Sequence, residues 1–365
     1  EWNIKDAFVK DKNGKKIINF KRNNLHIVSY SQPIDQTITK KELVKHLHFL
    51  KKQKKAIPYV TSYYKKYWGF CTSYIDYKKI IKKYKTNDKF HVKIDSEFKK
   101  NGNMTYGELK IKGKSNKEIL ISTNICHPSM ANNELSGPLV ALALAKYFKK
   151  FKNLKRSIRF LFLPETIGAI AYLKKNLIRM KKNVIGGYTL TCIGDNKNYS
   201  YLYTKYKNCP SDFAALKACR ELKIDCKKYN YLYSESDERR YNSPFVELGI
   251  GSIMRTKYHS FPEYHTSLDN FNLVTAKGLQ GGYNFVKKAI KNLTKIKLSS
   301  PNKRSIRKTK LIIGRTICEP NLGKRNLYPL LSRKDNEFKT PHRILDFLQY
   351  ADGTNDLRAI SNYIN

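Results

Sequence analysis

The chain has little acid: 29 Asp and Glu stand against 72 Lys and Arg in 365 residues, a formal net charge of +43. Such an excess attracts phosphate and acidic polymers. Its lysines, however, are spread over most segments among many Asn, Ile and Tyr, as an AT-rich coding bias would place them. Solvated lysine-rich faces are therefore expected, and no specific nucleic-acid partner. The clusters Lys51 to Lys55 and Lys146 to Arg156 offer only nonspecific attraction. Cysteine is sparse, with seven residues and no C-x-x-C pair. That fits a reducing cytosol better than a disulfide framework, so a cytoplasmic protein is expected. No apolar run reaches the roughly 18–20 residues that span a bilayer, and no signal peptide is visible. The first residue is Glu1 rather than Met, which leaves open a targeting signal upstream.

What the chain does have is a set of short apolar runs that each end in a metal-compatible side chain. Ile119 to Asn124 leads to His127 and, after a polar loop, to Glu134. Ser157 to Pro164 delivers Glu165, and Gly187 to Gly194 delivers Asp195. Ile250 to Arg255 precedes a loop carrying Glu263, His265 and Asp269. A single carboxylate after a strand is usually a helix cap. Four such runs instead point to the carboxyl end of an open α/β sheet, where ligands collect and where histidines and carboxylates can hold a metal. Helical patterns separate the runs: Gly137 to Phe148 with Pro138 in its first turn, Thr166 to Lys182, and Ser211 to Leu222 opened by a capping serine. Strands alternating with helices, and apolar throughout, predict a mainly parallel sheet buried on both faces.

Taken in order, His127, the Asn-Asn-Glu-Leu-Ser-Gly loop, Pro-Glu165-Thr-Ile-Gly168, Gly-Asp195 and Tyr-His265-Thr-Ser resemble the zinc aminopeptidases of the M28 type. The resemblance is strongest to bacterial aminopeptidase-like proteins associated with surface-polysaccharide gene clusters, and it runs along nearly the whole chain. It implies a zinc-exopeptidase-like α/β fold. It also implies a zinc ligand at His127, a general base at Glu165, and further ligands at Asp195 and His265. Two positions depart from the pattern. Asn133 stands where the family has a bridging aspartate, and Thr166 where it has a ligand glutamate. A neutral amide bridges two cations poorly, and two unbridged dications repel. One zinc per chain is therefore expected, with Glu134 replacing the missing carboxylate. Glu165 would take a proton from the zinc-activated water and pass it to the leaving amine.

The acidic stretch from Tyr233 to Arg240 is unusual in so basic a chain. Glu235, Asp237, Glu238 and Arg239, with Asn133, form the candidate substrate-binding set. They would hold the α-ammonium of a peptide or support a metal histidine; a structural ion-pair network is the alternative. Cys126 has alternating neighbours, which predicts a thiol pointing away into the sheet.

Three regions are expected. Residues 1–100 read as a small β-rich domain, which the resemblance makes an insertion in the peptidase fold. Residues 101–298 read as the catalytic domain. After a basic linker from Ser299 to Thr309, residues 310–365 read as a partial winged-helix-like domain. There, helices over Thr340–Gln349 and Asn355–Ile364 flank a turn at Asp352-Gly353. Because the sequence reaches Asn365 before a third helix or wing, a docking or dimer module is expected rather than a DNA reader. The functional expectation is a metal-dependent hydrolase of an N-terminal peptide or amide bond. The alternatives are a catalytically silent peptide or aminosugar binder and, last, a nucleic-acid-binding protein.

Overall fold

The computed structural model describes residues 1–297 and 339–364, with Cys318, Leu322, Arg325 and Leu327. The Ser299–Thr309 linker and most of the early part of the 310–365 region lie outside the described residues. Strands β1 (Trp2–Lys10), β2 (Lys16–Asn19), β3 (Ile34–Thr39), β4 (Leu47–His48), β5 (Phe70–Cys71) and β6 (Lys89–Phe98) come first, with helices α1 (Lys40–Lys45) and α2 (Tyr74–Lys83) among them. Four of the strands make an antiparallel sheet in the order β2-β1-β6-β3. Alternate residues Phe90, Val92 and Ile94 of β6 face a core shared with Leu43 of α1 and Ile80 of α2, as period-2 patterning requires.

The larger sheet follows. Its strands are β7 (Gly107–Ile111), β8 (Ser115–Asn124), β9 (Arg156–Leu163), β10 (Val184–Leu190), β11 (Tyr199–Leu202), β12 (Cys226–Tyr229) and β13 (Ile250–Met254). The helices between and after them are α3 (Ser136–Lys149), α4 (Ile167–Asn183), α5 (Pro210–Leu222), α6 (Asp237–Tyr241) and α7 (Ala276–Lys295). The order β12-β11-β13-β10-β8-β9-β7 is mainly parallel, as expected. The joints of β7 with β9 and of β11 with β13 are antiparallel. Ile119 and Ile121 pack under α3, α5 and α7, while Leu120 between them packs under α4 and α6. Burial on both faces explains why these strands are apolar without alternation. The carboxyl ends of β9, β8, β10 and β13 lie side by side, so the loops that follow them meet.

One expected cap is displaced. Helix α5 begins at Pro210 on the cap residue Cys209, and Ser211 lies inside it. Proline is preorganised for the first helical position, and the Asp212 carboxylate accepts from the Cys209 backbone at 2.9 Å. The Ser211 hydroxyl instead ties strands together, accepting from Gly187 N (2.8 Å) and donating to Gly249 O (2.6 Å).

Helices α8 (Lys339–Tyr350) and α9 (Leu357–Ile364) match the two expected from sequence and flank the turn at Gly353, whose φ is +80°. They dock on the larger sheet's periphery through polar pegs. Tyr231 donates to Gln349 (2.6 Å), Arg239 to Asp346 (3.0 Å), and Lys205 and Tyr206 to Asp352 (2.8 and 2.7 Å). Burial alone would raise the Asp352 pKa, but the Lys205 ammonium and the hydroxyls around it hold it at about 2. A lowered carboxylate pKa stabilises the fold above the ordinary Asp value, and the gain is lost as pH falls through about 2. Acidification from pH 5 to pH 2 is thus expected to loosen α8 and α9 by up to about 2 kcal/mol. Hydrogen exchange of these helices checks it, and Asp352→Asn should be loosened already at neutral pH and lose the pH response. Among the described residues no helix is long and apolar enough to cross a membrane.

Candidate active site

Beyond Asn124 the chain leaves β8, and the next residues form one wall of a pocket of about 640 Å³. The Cys126 backbone donates to Glu134 Oε2 at 2.9 Å, while Glu134 Oε1 contacts His127 Nδ1 directly. Glu134 reaches this position because residues Ala131–Leu135 form a wide π-helical turn ahead of α3. Such a turn shifts the facing register by a residue. Asp269 caps it, accepting from the backbones of Asn132 (2.6 Å) and Asn133 (2.9 Å). Asn133 turns aside, its Oδ1 3.1 Å from His265 Nε2 and its amide donating to Thr191 Oγ1 at 3.3 Å.

Glu165 enters from the end of β9. Its Oε1 accepts from Asn124 (3.0 Å) and Ser236 (2.5 Å), leaving Oε2 3.7 Å from His127 Nε2. Thr166 follows at φ +62°, a strained conformation for a β-branched residue. Its N–H donates to Asp237 Oδ1 at 2.8 Å, which compensates. Burial raises the Glu165 pKa above the usual carboxylate value, with His127 pulling against it. Burial opposes charge on His127, yet the Cys126 thiol, Glu134 and Glu165 outweigh it and hold the imidazole well above its usual pKa. The anionic groups around it therefore favour the protonated imidazole.

Aromatic rings gather beside His127. His127 and His265 lie 5.1 Å apart between ring centroids, and Tyr59 sets its edge against both at 5.3 and 5.4 Å. Tyr264 stacks on His265 at 3.9 Å. Tyr59 belongs to the N-terminal region, and its backbone N–H donates to His265 O at 3.0 Å. Only the aromatic density from Tyr59 to Tyr64 signals it in the sequence.

The structure brings His127, Glu134 and Glu165 together, with His265 alongside, but it does not bring Asp195 to them. The Asp195 carboxylate is occupied by Asn132 (3.1 Å), the Thr256 backbone (2.9 Å) and hydroxyl (2.6 Å), and Lys197 N (2.9 Å). It lies beyond the end of β10, and Thr191, the first residue after the strand, takes the place beside Asn133. Cys126 corrects the expectation of a thiol turned away. Its Sγ lies 3.3 Å from His127 Nδ1 and accepts from Glu165 N at 3.2 Å. Strand alternation has ended two residues before it. Among the described residues, Cys126, His127 and Glu134 form the group able to hold a metal, their ligand atoms all within 4.8 Å.

The acidic stretch divides by role. Glu238 is fully buried and accepts from Ser236 N, Tyr258 and Ser252. Arg239 binds Asp346 of α8, and Asp237 holds Thr166. Burial, and then the charge of Glu165, push the Asp237 pKa well up. Glu235 is part-exposed and pairs with His259 at 2.8 Å; burial opposes its charge, but His259 and Lys257 hold its pKa at about 2.

A family described as a domain of unknown function, DUF4910, matches residues 2–295. The chain belongs to this family. DUF4910 spans both the small sheet and the larger one, and a winged helix-turn-helix family matches residues 312–365. A Clostridium acetobutylicum protein, named for polysaccharide biosynthesis and an aminopeptidase-like domain, is 37% identical over 361 residues, 99% of this chain and 78% of its own. A solved structure from that organism, named for a peptidase, has a TM-score of 0.76 at 36% identity, over 99% of this chain and 78% of its own. The zinc aminopeptidase BSAP of Bacillus subtilis superposes with a TM-score of 0.58 at 14% identity, over 80% of this chain and 83% of its own. An M28 peptidase precursor of Shewanella amazonensis gives 0.56 at 12%, over 82% and 83%. The DUF4910 region thus has the M28 aminopeptidase fold that the sequence resemblance implied, in a family of peptidase-like type.

Proposed function

We propose that the chain is a metal-dependent hydrolase of aminopeptidase type that opens an N-terminal peptide or other amide bond, with one zinc per chain. The observation that carries this reading is Glu165, set beside the Cys126, His127 and Glu134 group by its N–H on Cys126 Sγ (3.2 Å) and tethered through one carboxylate oxygen, which leaves the other free to accept a proton. His127 and Glu134 fit a metal: an imidazole nitrogen and a carboxylate oxygen, both donors that zinc takes, meet there. When bound, zinc lowers the pKa of water toward about 7 and polarises the scissile carbonyl. Glu165 Oε2 accepts the proton and returns it to the leaving amine. Ile125, Met130 and Phe271 give the pocket an apolar wall for a substrate side chain. Glu235, whose carboxylate pairs with His259 at 2.8 Å, is the candidate anion for the substrate's ammonium.

The relative's name suggests polysaccharide biosynthesis as the setting. No specific nucleic-acid partner is proposed. A second reading, a catalytically silent binder of peptide or aminosugar, draws on Asn133, whose neutral amide contacts His265 where the family pattern has a carboxylate. Metal analysis separates the two. About one zinc per purified chain is expected. Two tightly held metals would overturn the single-zinc site, and none would favour the binder.

A further inference from the structure

We infer that Cys126 is a third metal ligand, so that the centre is a thiolate, an imidazole and a carboxylate from Cys126, His127 and Glu134. This rests on the metal-dependent reading above and deepens it. The sulfur lies 3.3 Å from His127 Nδ1 and 3.8 Å from Glu134 Oε1. Ligand atoms at zinc–sulfur, zinc–nitrogen and zinc–oxygen bond lengths in a tetrahedron are separated by about 3.5 Å, so the sulfur stands at ligand spacing from both partners.

A second observation concerns the sulfur itself. The backbone N–H of Glu165 points at it from 3.2 Å. An N–H donor stabilises negative charge on a thiolate and orients it, the service that outer-shell partners give to metal ligands. The same peptide thereby places the general base and steadies the ligand.

The remaining candidates are engaged elsewhere. Asp195 is satisfied by Asn132, Thr256 and Lys197, and His265 Nε2 meets Asn133 Oδ1. Charge also closes. A dication displaces the thiol proton and the proton shared by His127 and Glu134 to solvent, and one thiolate with one carboxylate then neutralises it. Sulfur ligation selects zinc, cobalt or cadmium over magnesium, calcium or manganese.

The test is cobalt titration of the full chain, read by absorbance. The wild type should show a thiolate-to-cobalt charge-transfer band in the near ultraviolet. Cys126→Ser, with its fold verified by circular dichroism, should lose the band and bind zinc at least about tenfold more weakly in chelator competition. Cys192→Ala, which removes a buried thiol beside Asn133, should keep the band. Cobalt bound without the band, or a band surviving in Cys126→Ser, overturns the thiolate ligand and leaves the hydrolase reading standing. A wild-type chain that binds neither cobalt nor zinc overturns both.

Discussion

Glu165→Gln is expected to abolish measurable turnover while leaving metal content nearly unchanged. The glutamine carbonyl can still accept from Asn124 and Ser236, which hold Oε1 at 3.0 and 2.5 Å. The amide nitrogen then replaces Oε2 opposite His127, so a donor stands where a proton must be accepted. Loss of a general base costs about 10²–10⁴-fold in rate. Metal analysis of the same protein distinguishes this role from ligation, because a ligand's removal lowers occupancy along with activity. Unchanged hydrolysis of an aminoacyl amide that the wild type cleaves would falsify both roles.

Glu238→Ala should produce the largest loss of stability, about 3–5 kcal/mol. The carboxylate is fully buried. Its Oε1 accepts from Glu235 N and Ser236 N at 3.2 Å each and from Tyr258 Oη at 2.7 Å. Its Oε2 accepts from Ser252 at 2.9 Å and Thr189 at 3.2 Å. Truncation leaves the Ser236 N–H in a closed space without its acceptor. It throws the other donors onto their second partners, Glu235 N on Tyr258, Tyr258 on Tyr233 O, and Thr189 and Ser252 on each other. Each buried group left unsatisfied costs about 1–3 kcal/mol before relaxation. Urea unfolding monitored on the larger sheet reads the effect, and a midpoint equal to wild type would rule out the network as a stabilising element. Because Ser236 is held by Glu238 and itself holds Glu165, residual folded protein should also turn over more slowly.

The strand ends are legible because burial on both faces leaves an unbroken apolar run, and the polar residue that follows is then conspicuous. That logic puts His127, Glu134 and Glu165 at the sheet's carboxyl edge, where the structure has them. It fails for Asp195 because a motif match fixes chemistry but not the residue at which the strand stops; β10 ends at Leu190. Cys126 fails for the same reason, as alternation has no meaning once the chain has left β8 at Asn124. The acidic stretch is opaque on other grounds. Glu238 and Arg239 serve packing and docking through partners distant in sequence, Ser252 and Asp346 among them. No local pattern reports those.

The edge of Tyr59 against both histidines carries a consequence for how this protein is inherited. The ring comes from one unit and the imidazoles from another, joined by the Tyr59 N–His265 O bond and the Pro58–Thr266 bridge. Neither unit owns this cluster of rings. A gene fragment encoding only the larger sheet would yield the two imidazoles without the ring that packs against both, so recombination that separates the two is penalised beside the site itself. One family match running unbroken from residue 2 to residue 295 is what such joint ownership leaves behind.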